Sequence, residues 1–304
     1  MNGKLKYSKV LGLLVIITLL VTTLLAGCGQ QPTATKTAEP AAQQPKEKGT
    51  VKIGMVTWAE CVAISNVVKT VLVDQGYKVE LQTLDVAPLF VGLSRGDLDL
   101  YLDGWLPTTQ KNYWEQYKDN LEKFPGSWYT GEAKSGLVVP KYVTIKTVNE
   151  IGDNKDKFNG EIVGIDPGAN VMKTIAQMIK DNGWNVKLVA GSEAAMMAAM
   201  DKAYREKKWI AIYGWSPHWM FAKYDLKYLE DTKNVFGDSE QIVTLAHKDF
   251  STKMPEVAAM IKKMKMDDKQ IGTIEDMING GMAPLDAAKK WVSDNKTVVD
   301  SWLK

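Results

Sequence analysis

Three tryptophans occupy equivalent places in the chain. Trp58, Trp105 and Trp215 each directly follow the C-terminal end of a stretch that reads as a β-strand: 51–56, 98–102 and 209–213. In open α/β sheets ligands bind outside the carboxyl ends of the strands, so indoles placed there face a cleft. A quaternary ammonium carries methyl groups where other cations carry N–H donors, and hydrogen bonds cannot recognise it. Indole faces can, through the ring quadrupole and apolar contact, at roughly 0.5–2 kcal/mol per cation–π contact. A complementary polar end follows the strand 161–165, at the turn Asp166-Pro167-Gly168-Ala169-Asn170. Gly168 and Ala169 leave space there. The backbone N–H groups of Asn170 and Val171 open a helix, where orphan donors and the macrodipole attract a carboxylate. Each feature alone also reads as ordinary packing, a Trp under a loop or a tight turn. Three indoles from three strand ends favour a shared site.

Other reactive side chains are sparse. Ten Trp and 11 Tyr against 6 Phe favour flat amphipathic rings, while 2 His and 2 Cys leave little for metal chemistry or a disulfide framework. No metal or cofactor is expected. Met196, Met197 and Met200 fall on a predicted helix without an accompanying histidine, which reads as core packing rather than a copper site. His218 reads as a hydrogen-bonded structural residue, Cys61 as a small buried hydrophobe. Asp97, Asp99 and Asp103 alternate along a strand like a solvated face. A hydrolase using Glu60 or Cys61 is the rival reading, but no histidine has the context of a base and no nucleophile elbow appears. A lipoprotein serving as adhesin or scaffold is the third. The balance of 38 basic and 36 acidic residues gives no surplus for nucleic acid.

The elements that must position these residues alternate strand and helix. Strands at 51–56, 79–84 and 98–102 are separated by helices over 59–75 and 88–95, with a further helix over 109–120. The pattern restarts with strands at 161–165, 186–189 and 209–213 and helices to 181 and over 192–204, and 251–304 reads as mostly helical. Such alternation predicts parallel α/β sheets. We read two lobes, 51–138 plus 244–304 and 139–243, joined by extended crossovers near 136–143 and 241–247, with the ligand cleft between them.

The N-terminus reads as an address. Lys4, Lys6 and Lys9 precede an uncharged apolar stretch over 10–26, a secretory signal somewhat shorter than a membrane span. Leu25-Ala26-Gly27-Cys28 looks like the lipobox of bacterial lipoproteins, which implies cleavage before Cys28 and lipid on its thiol. Removal of 1–27 takes away three of the 38 basic residues, so the slight positive balance belongs to the export signal. Residues 28–50 read as a flexible tether, with three prolines over 29–50 and no aromatic or branched aliphatic residue there.

Four motifs carry a family resemblance. Trp58-Ala59-Glu60, Asp103-Gly104-Trp105-Leu106-Pro107-Thr108-Thr109, Gly164-Ile165-Asp166-Pro167-Gly168 and Gly214-Trp215-Ser216-Pro217-His218-Trp219-Met220-Phe221 together resemble the glycine-betaine/choline-binding lipoproteins of ABC importers. The likeness covers residues 50–300. It implies a two-lobed periplasmic-binding-protein fold that closes on its ligand, a tryptophan prism from Trp58, Trp105 and Trp215, and carboxylate capture by the Asn170 and Val171 amides. It also implies a permease and its ATPase as partners, a lipid anchor on the extracytoplasmic face of the cell membrane, and action as a monomer. Two positions depart from the betaine pattern. Gln110 stands where betaine binders carry a histidine contacting the carboxylate, a neutral donor at best. Glu60 stands where choline binders place an acid on the ligand hydroxyl, with an asparagine at a position like Asn170. Glycine betaine is the first expectation, with Gln110 donating to its carboxylate and Glu60 turned away along its helix. Choline is the alternative, with Glu60 and Asn170 on the hydroxyl.

Overall fold

A computed structural model describes residues 48–304. The export signal, Cys28 and the tether up to residue 47 lie outside the described residues. The first lobe opens with β1 (Thr50–Met55), whose Val51 and Ile53 are fully buried, and continues through α1 (Ala59–Asp74), β2 (Lys78–Thr83), α2 (Val86–Arg95), β3 (Leu100–Leu106), α3 (Lys111–Tyr117) and β4 (Leu121–Lys123). The second lobe holds β5 (Lys134–Pro140), α4 (Glu150–Asp153), β6 (Glu161–Val163), α5 (Asn170–Asp181), β7 (Lys187–Val189), α6 (Glu193–Arg205), β8 (Ile212–Ser216), α7 (Met220–Lys223) and β9 (Leu226–Tyr228). The chain returns as β10 (Gln241–His247). It ends in α8 (Phe250–Lys253), α9 (Pro255–Lys263), α10 (Asp268–Asn279), α11 (Pro284–Asp294) and α12 (Lys296–Leu303).

Two five-stranded sheets result, in the orders β2-β1-β3-β10-β4 and β7-β6-β8-β5-β9. Within each, three strands are parallel as expected, β1 with β2 and β3, and β6 with β7 and β8. The segments read as extended crossovers are full strands that join antiparallel, β10 on β3 and β5 on β8. The sheets are therefore mixed, because each crossover enters the new lobe along the one unpaired edge of its third parallel strand. This pairing also lengthens β3 and β8: Ile242 lies opposite Trp105 and Ser135 opposite Trp215. Trp105 and Trp215 thus sit in the last residues of their strands, and only Trp58 lies past a strand end. Sheet membership changes by Lys134 and by Gln241, a few residues before the boundaries expected at 138/139 and 243/244. There the two crossovers run side by side, with the Glu240 N–H donating to the Ala133 carbonyl at 2.8 Å.

Local sequence accounts for these elements. In α2 the buried residues Val86, Leu89, Phe90 and Leu93 follow helical spacing, and Gly96 ends the helix in the left-handed region at φ 80°. α6 starts on Ser192, whose side chain accepts from Ala195 N–H, and it buries Met196, Met197 and Met200 as core filler. Two glycines keep the strands close beside the tryptophans. A Cβ on Gly104 would lie 3.0 Å from the Val243 carbonyl, and one on Gly214 would lie 2.6 Å from a Val138 methyl. Among the described residues no helix is long and apolar enough to cross a membrane.

Candidate functional site

Trp58 is the N-cap of α1 and extends the β1 line into the space between the lobes. Trp105 comes from the end of β3, and Trp215 from the end of β8 in the other lobe. All three are nearly buried, at 6%, 3% and 3% exposure. They line a single cavity together with Glu60, Gln110, Asn170 and Val171. Every residue singled out in the sequence as a ligand contact therefore borders one space. Tyr113, Tyr213, Val86 and Thr109 border it too and were not foreseen. Tyr113, in the first turn of the helix after β3, was the most accessible to sequence reasoning.

Each indole N–H is held by a different carboxyl. Trp58 Nε1 donates to Asp166 at 3.1 Å, Trp105 Nε1 to Asp103 at 2.9 Å, and Trp215 Nε1 to Glu60 at 2.8 Å. A tethered N–H fixes the ring plane and leaves the face for the cavity. Two of these bonds span the lobes, as do those from Tyr113 OH to the Gly168 carbonyl at 2.6 Å and from Asn112 Nδ2 to Asn170 Oδ1 at 2.7 Å. The lobes are in contact around the cavity.

Three expectations change here. Glu60 does not turn away along α1. It is 1% exposed and directed across the lobe boundary at Trp215. Asp103 is not on a solvated face: β3 lies between β1 and β10 and is buried along its whole length. Gln110 does not offer a donor. Its Nε2 is committed to Tyr101 OH at 2.9 Å and to the Asp103 carbonyl at 3.1 Å. A carbonyl can only accept, so the nitrogen must face it. That leaves Oε1 buried without a partner in the protein, an acceptor beside the cavity.

The electrostatics are acidic. Burial pushes the Glu60 carboxyl well above the usual range, reinforced by Asp103, Glu193 and Glu275, and only partly opposed by the Trp215 N–H. Burial raises Asp103 in the same way against the Trp105 N–H, and it raises Glu275, reinforced by Glu193. Each of these carboxyls is held above its usual range, and a cation placed beside Glu60 in the cavity favours its ionised form. At the opposite wall Asn170 and Val171 are the first residues of α5, so their N–H groups have no acceptor within the helix. Asn170 accepts from Asn112 through Oδ1, which leaves its own Nδ2 as a further donor. Among the described residues no cluster of His, Cys, Asp and Glu has the arrangement to hold a metal ion. His218 is the structural residue expected: Met220 N–H donates to Nδ1 at 3.0 Å, which puts the ring proton on Nε2, 3.1 Å from Glu193. Cys61 is a buried free thiol, pushed up by burial and unsuited to act as a nucleophile.

Known proteins resemble this chain in sequence and fold. Residues 49–294 match the family described as the substrate-binding domain of ABC-type glycine betaine transport systems. A glycine betaine/carnitine transport binding protein of Listeria monocytogenes is 36% identical over 153 residues, covering 49% of this chain and 51% of that protein, so the chain spans about half the length of this curated relative. Among solved structures, lactococcal OpuAC in its closed conformation with glycine betaine is 35% identical at a TM-score of 0.79, covering 84% of this chain and 100% of that one. An ABC-transporter choline-binding protein in complex with choline is 26% identical at a TM-score of 0.78, covering 84% and 92%. The chain therefore belongs to the family of substrate-binding domains of ABC-type glycine betaine transport systems.

Proposed function

We infer that the protein is an extracytoplasmic receptor, held to the membrane by lipid on Cys28, that captures glycine betaine or a related betaine and delivers it as a monomer to an ABC permease and its ATPase. One observation carries the reading: indoles from both lobes enclose a single cavity, each with its N–H tied to a carboxyl, opposite the free amides of α5. Trp58, Trp105 and Trp215 receive the trimethylammonium group, and the N–H groups of Asn170 and Val171 receive the carboxylate. Burial holds the Glu60 carboxyl above its usual range, which lessens its repulsion of that carboxylate. The working cycle is binding and hinge closure at the paired crossovers, with no bond made or broken.

A second reading, choline, is favoured by Gln110. Its unpartnered Oε1 suits a hydroxyl donor better than a carboxylate, and Glu60 beside it supplies an acceptor and a counter-charge. A thermal-shift panel of glycine betaine, proline betaine, carnitine and choline tests both readings. A response to the carboxylate-bearing ligands supports the first, a response to choline alone the second, and no response to any of the four contradicts both. Mass spectrometry after incubation tests the rival hydrolase, since a receptor returns each ligand intact.

A further inference from the structure

Outside the residues that line the cavity, a carboxylate from the first turn of a helix in one lobe meets the N-terminus of a helix in the other. Glu193 is the first residue of α6 in the second lobe, and Ala59 is the first residue of α1 in the first lobe. Glu193 Oε2 accepts the Ala59 backbone N–H at 2.9 Å, and Oε1 faces His218 Nε2 at 3.1 Å. The proton on His218 Nε2 is fixed by Met220 N–H on the other ring nitrogen, so both groups meeting Glu193 are donors. Two donors need two acceptor oxygens, which a carboxylate has and an amide lacks. The charge has a second use. α1 and α6 each present the positive end of a macrodipole, and closure brings those ends together. A carboxylate between them turns a repulsion into an attraction.

The same residues touch the box from behind. Ala59 lies between Trp58 and Glu60, and the His218 ring packs edge-on against Trp215 with centroids 4.7 Å apart at 90°. We propose that Glu193, backed by His218, is the latch of the closed state: a positioning residue that holds the Trp58–Glu60 edge of one lobe against Trp215 of the other and so sets affinity without touching ligand. The latch is made only on closure. Its removal therefore speeds ligand release and leaves the open, unliganded protein intact.

The inference rests on the receptor reading above, and the experiment separates the two. Glycine betaine and choline are titrated calorimetrically into wild type, Glu193→Gln, Ala59→Pro and Trp58→Ala, with ligand-free melting recorded for each. In Glu193→Gln one of the two donors is left facing an amide N–H₂, and the charge between the helix ends is lost. Ala59→Pro removes the donor from the other lobe. Proline is tolerated at the first helical position, and Trp58 before it already has the extended backbone that a following proline requires, φ −77° and ψ 145°. Both variants should bind about tenfold more weakly or worse, the order expected when a charge-assisted hydrogen bond present in only one state is lost, with ligand-free melting lowered by no more than about 2 °C. In a His218→Ala background the Glu193→Gln penalty should shrink, because the facing donor is gone. If Glu193→Gln binds as tightly as wild type while Trp58→Ala does not, the latch is wrong and the box stands. A loss confined to ligand-free melting, with affinity unchanged, likewise reduces Glu193 to a structural residue. Should Glu193→Gln not fold, Ala59→Pro carries the same comparison from the other lobe. Wild type that binds neither ligand overturns the receptor reading and the latch together.

Discussion

Trp291 and Trp302 stack 6.1 Å apart and 19° from parallel where α11 meets α12, whereas Trp58, Trp105 and Trp215 stand around a cavity with each N–H on a carboxyl. Burial does not tell the two groups apart: the stacked pair is 2% exposed at each ring, the cavity group 3–6%. Their partners do. The pair belongs to one lobe and fills volume with ring against ring. The cavity group is drawn from both lobes, is held by its N–H edges, and lines a shared cavity. One is core in any state of the protein, the other only while the lobes are together.

Mutagenesis can break this contrast. Trp291→Ala should cost about 3–5 kcal/mol of folding stability, the usual range for a large aromatic removed from a core, with affinity per folded molecule unchanged. Chemical denaturation and calorimetry on the same samples measure both. Trp105→Ala and Trp215→Ala should reverse the pattern, weakening glycine betaine by about tenfold to a hundredfold through lost cation–π and apolar contact, with a smaller loss of ligand-free stability. Should Trp291→Ala weaken binding as much as Trp215→Ala does, the division is wrong.

The next effect is one of sign. Glu60 keeps its proton above the ordinary carboxyl range because it is buried among acids, and it becomes charged as pH rises through that raised value. Glycine betaine brings a carboxylate into the same cavity, so its affinity should fall over that window. Choline brings only positive charge, so its affinity should rise. Glu60→Gln should flatten both trends, and parallel trends for the two ligands would remove Glu60 from the cavity's electrostatics. The smallest expected effect is at Asp166→Asn, where a neutral acceptor still reaches Trp58 Nε1: about twofold to threefold in affinity, the step from a charge-assisted to a neutral hydrogen bond at a partly exposed pair.

Much of this was legible in the sequence, for physical reasons that can be named. Short β-branched runs alternating with stretches of helical length mark the strands and helices. Indoles stand out because few residue types read a methylated cation. The turn 166–170 shows its amides because Pro167 and Gly168 forbid a helix there. What escaped was long-range. The antiparallel seating of 134–140 and 241–247 depends on which sheet edges remain open after the rest has folded, and it moved Trp105 and Trp215 inside their strands. Asp103 looked solvated because alternation implies a wet face, yet a strand flanked on both sides and covered by helices has none. Gln110 looked like a donor until Tyr101 and the Asp103 carbonyl occupied its nitrogen. The meeting of Glu193 with Ala59, 134 residues apart, has no local signature at all.

The central claim is that the three indoles read positive charge as well as shape. The most direct measurement is a calorimetric comparison of glycine betaine with 3,3-dimethylbutanoate, which keeps the same outline and carboxylate but has a neutral carbon in place of the ammonium nitrogen. Three cation–π contacts at roughly 0.5–2 kcal/mol each predict that the neutral analogue binds at least about tenfold more weakly. Equal affinity for the two would contradict the account and reduce the box to an apolar pocket.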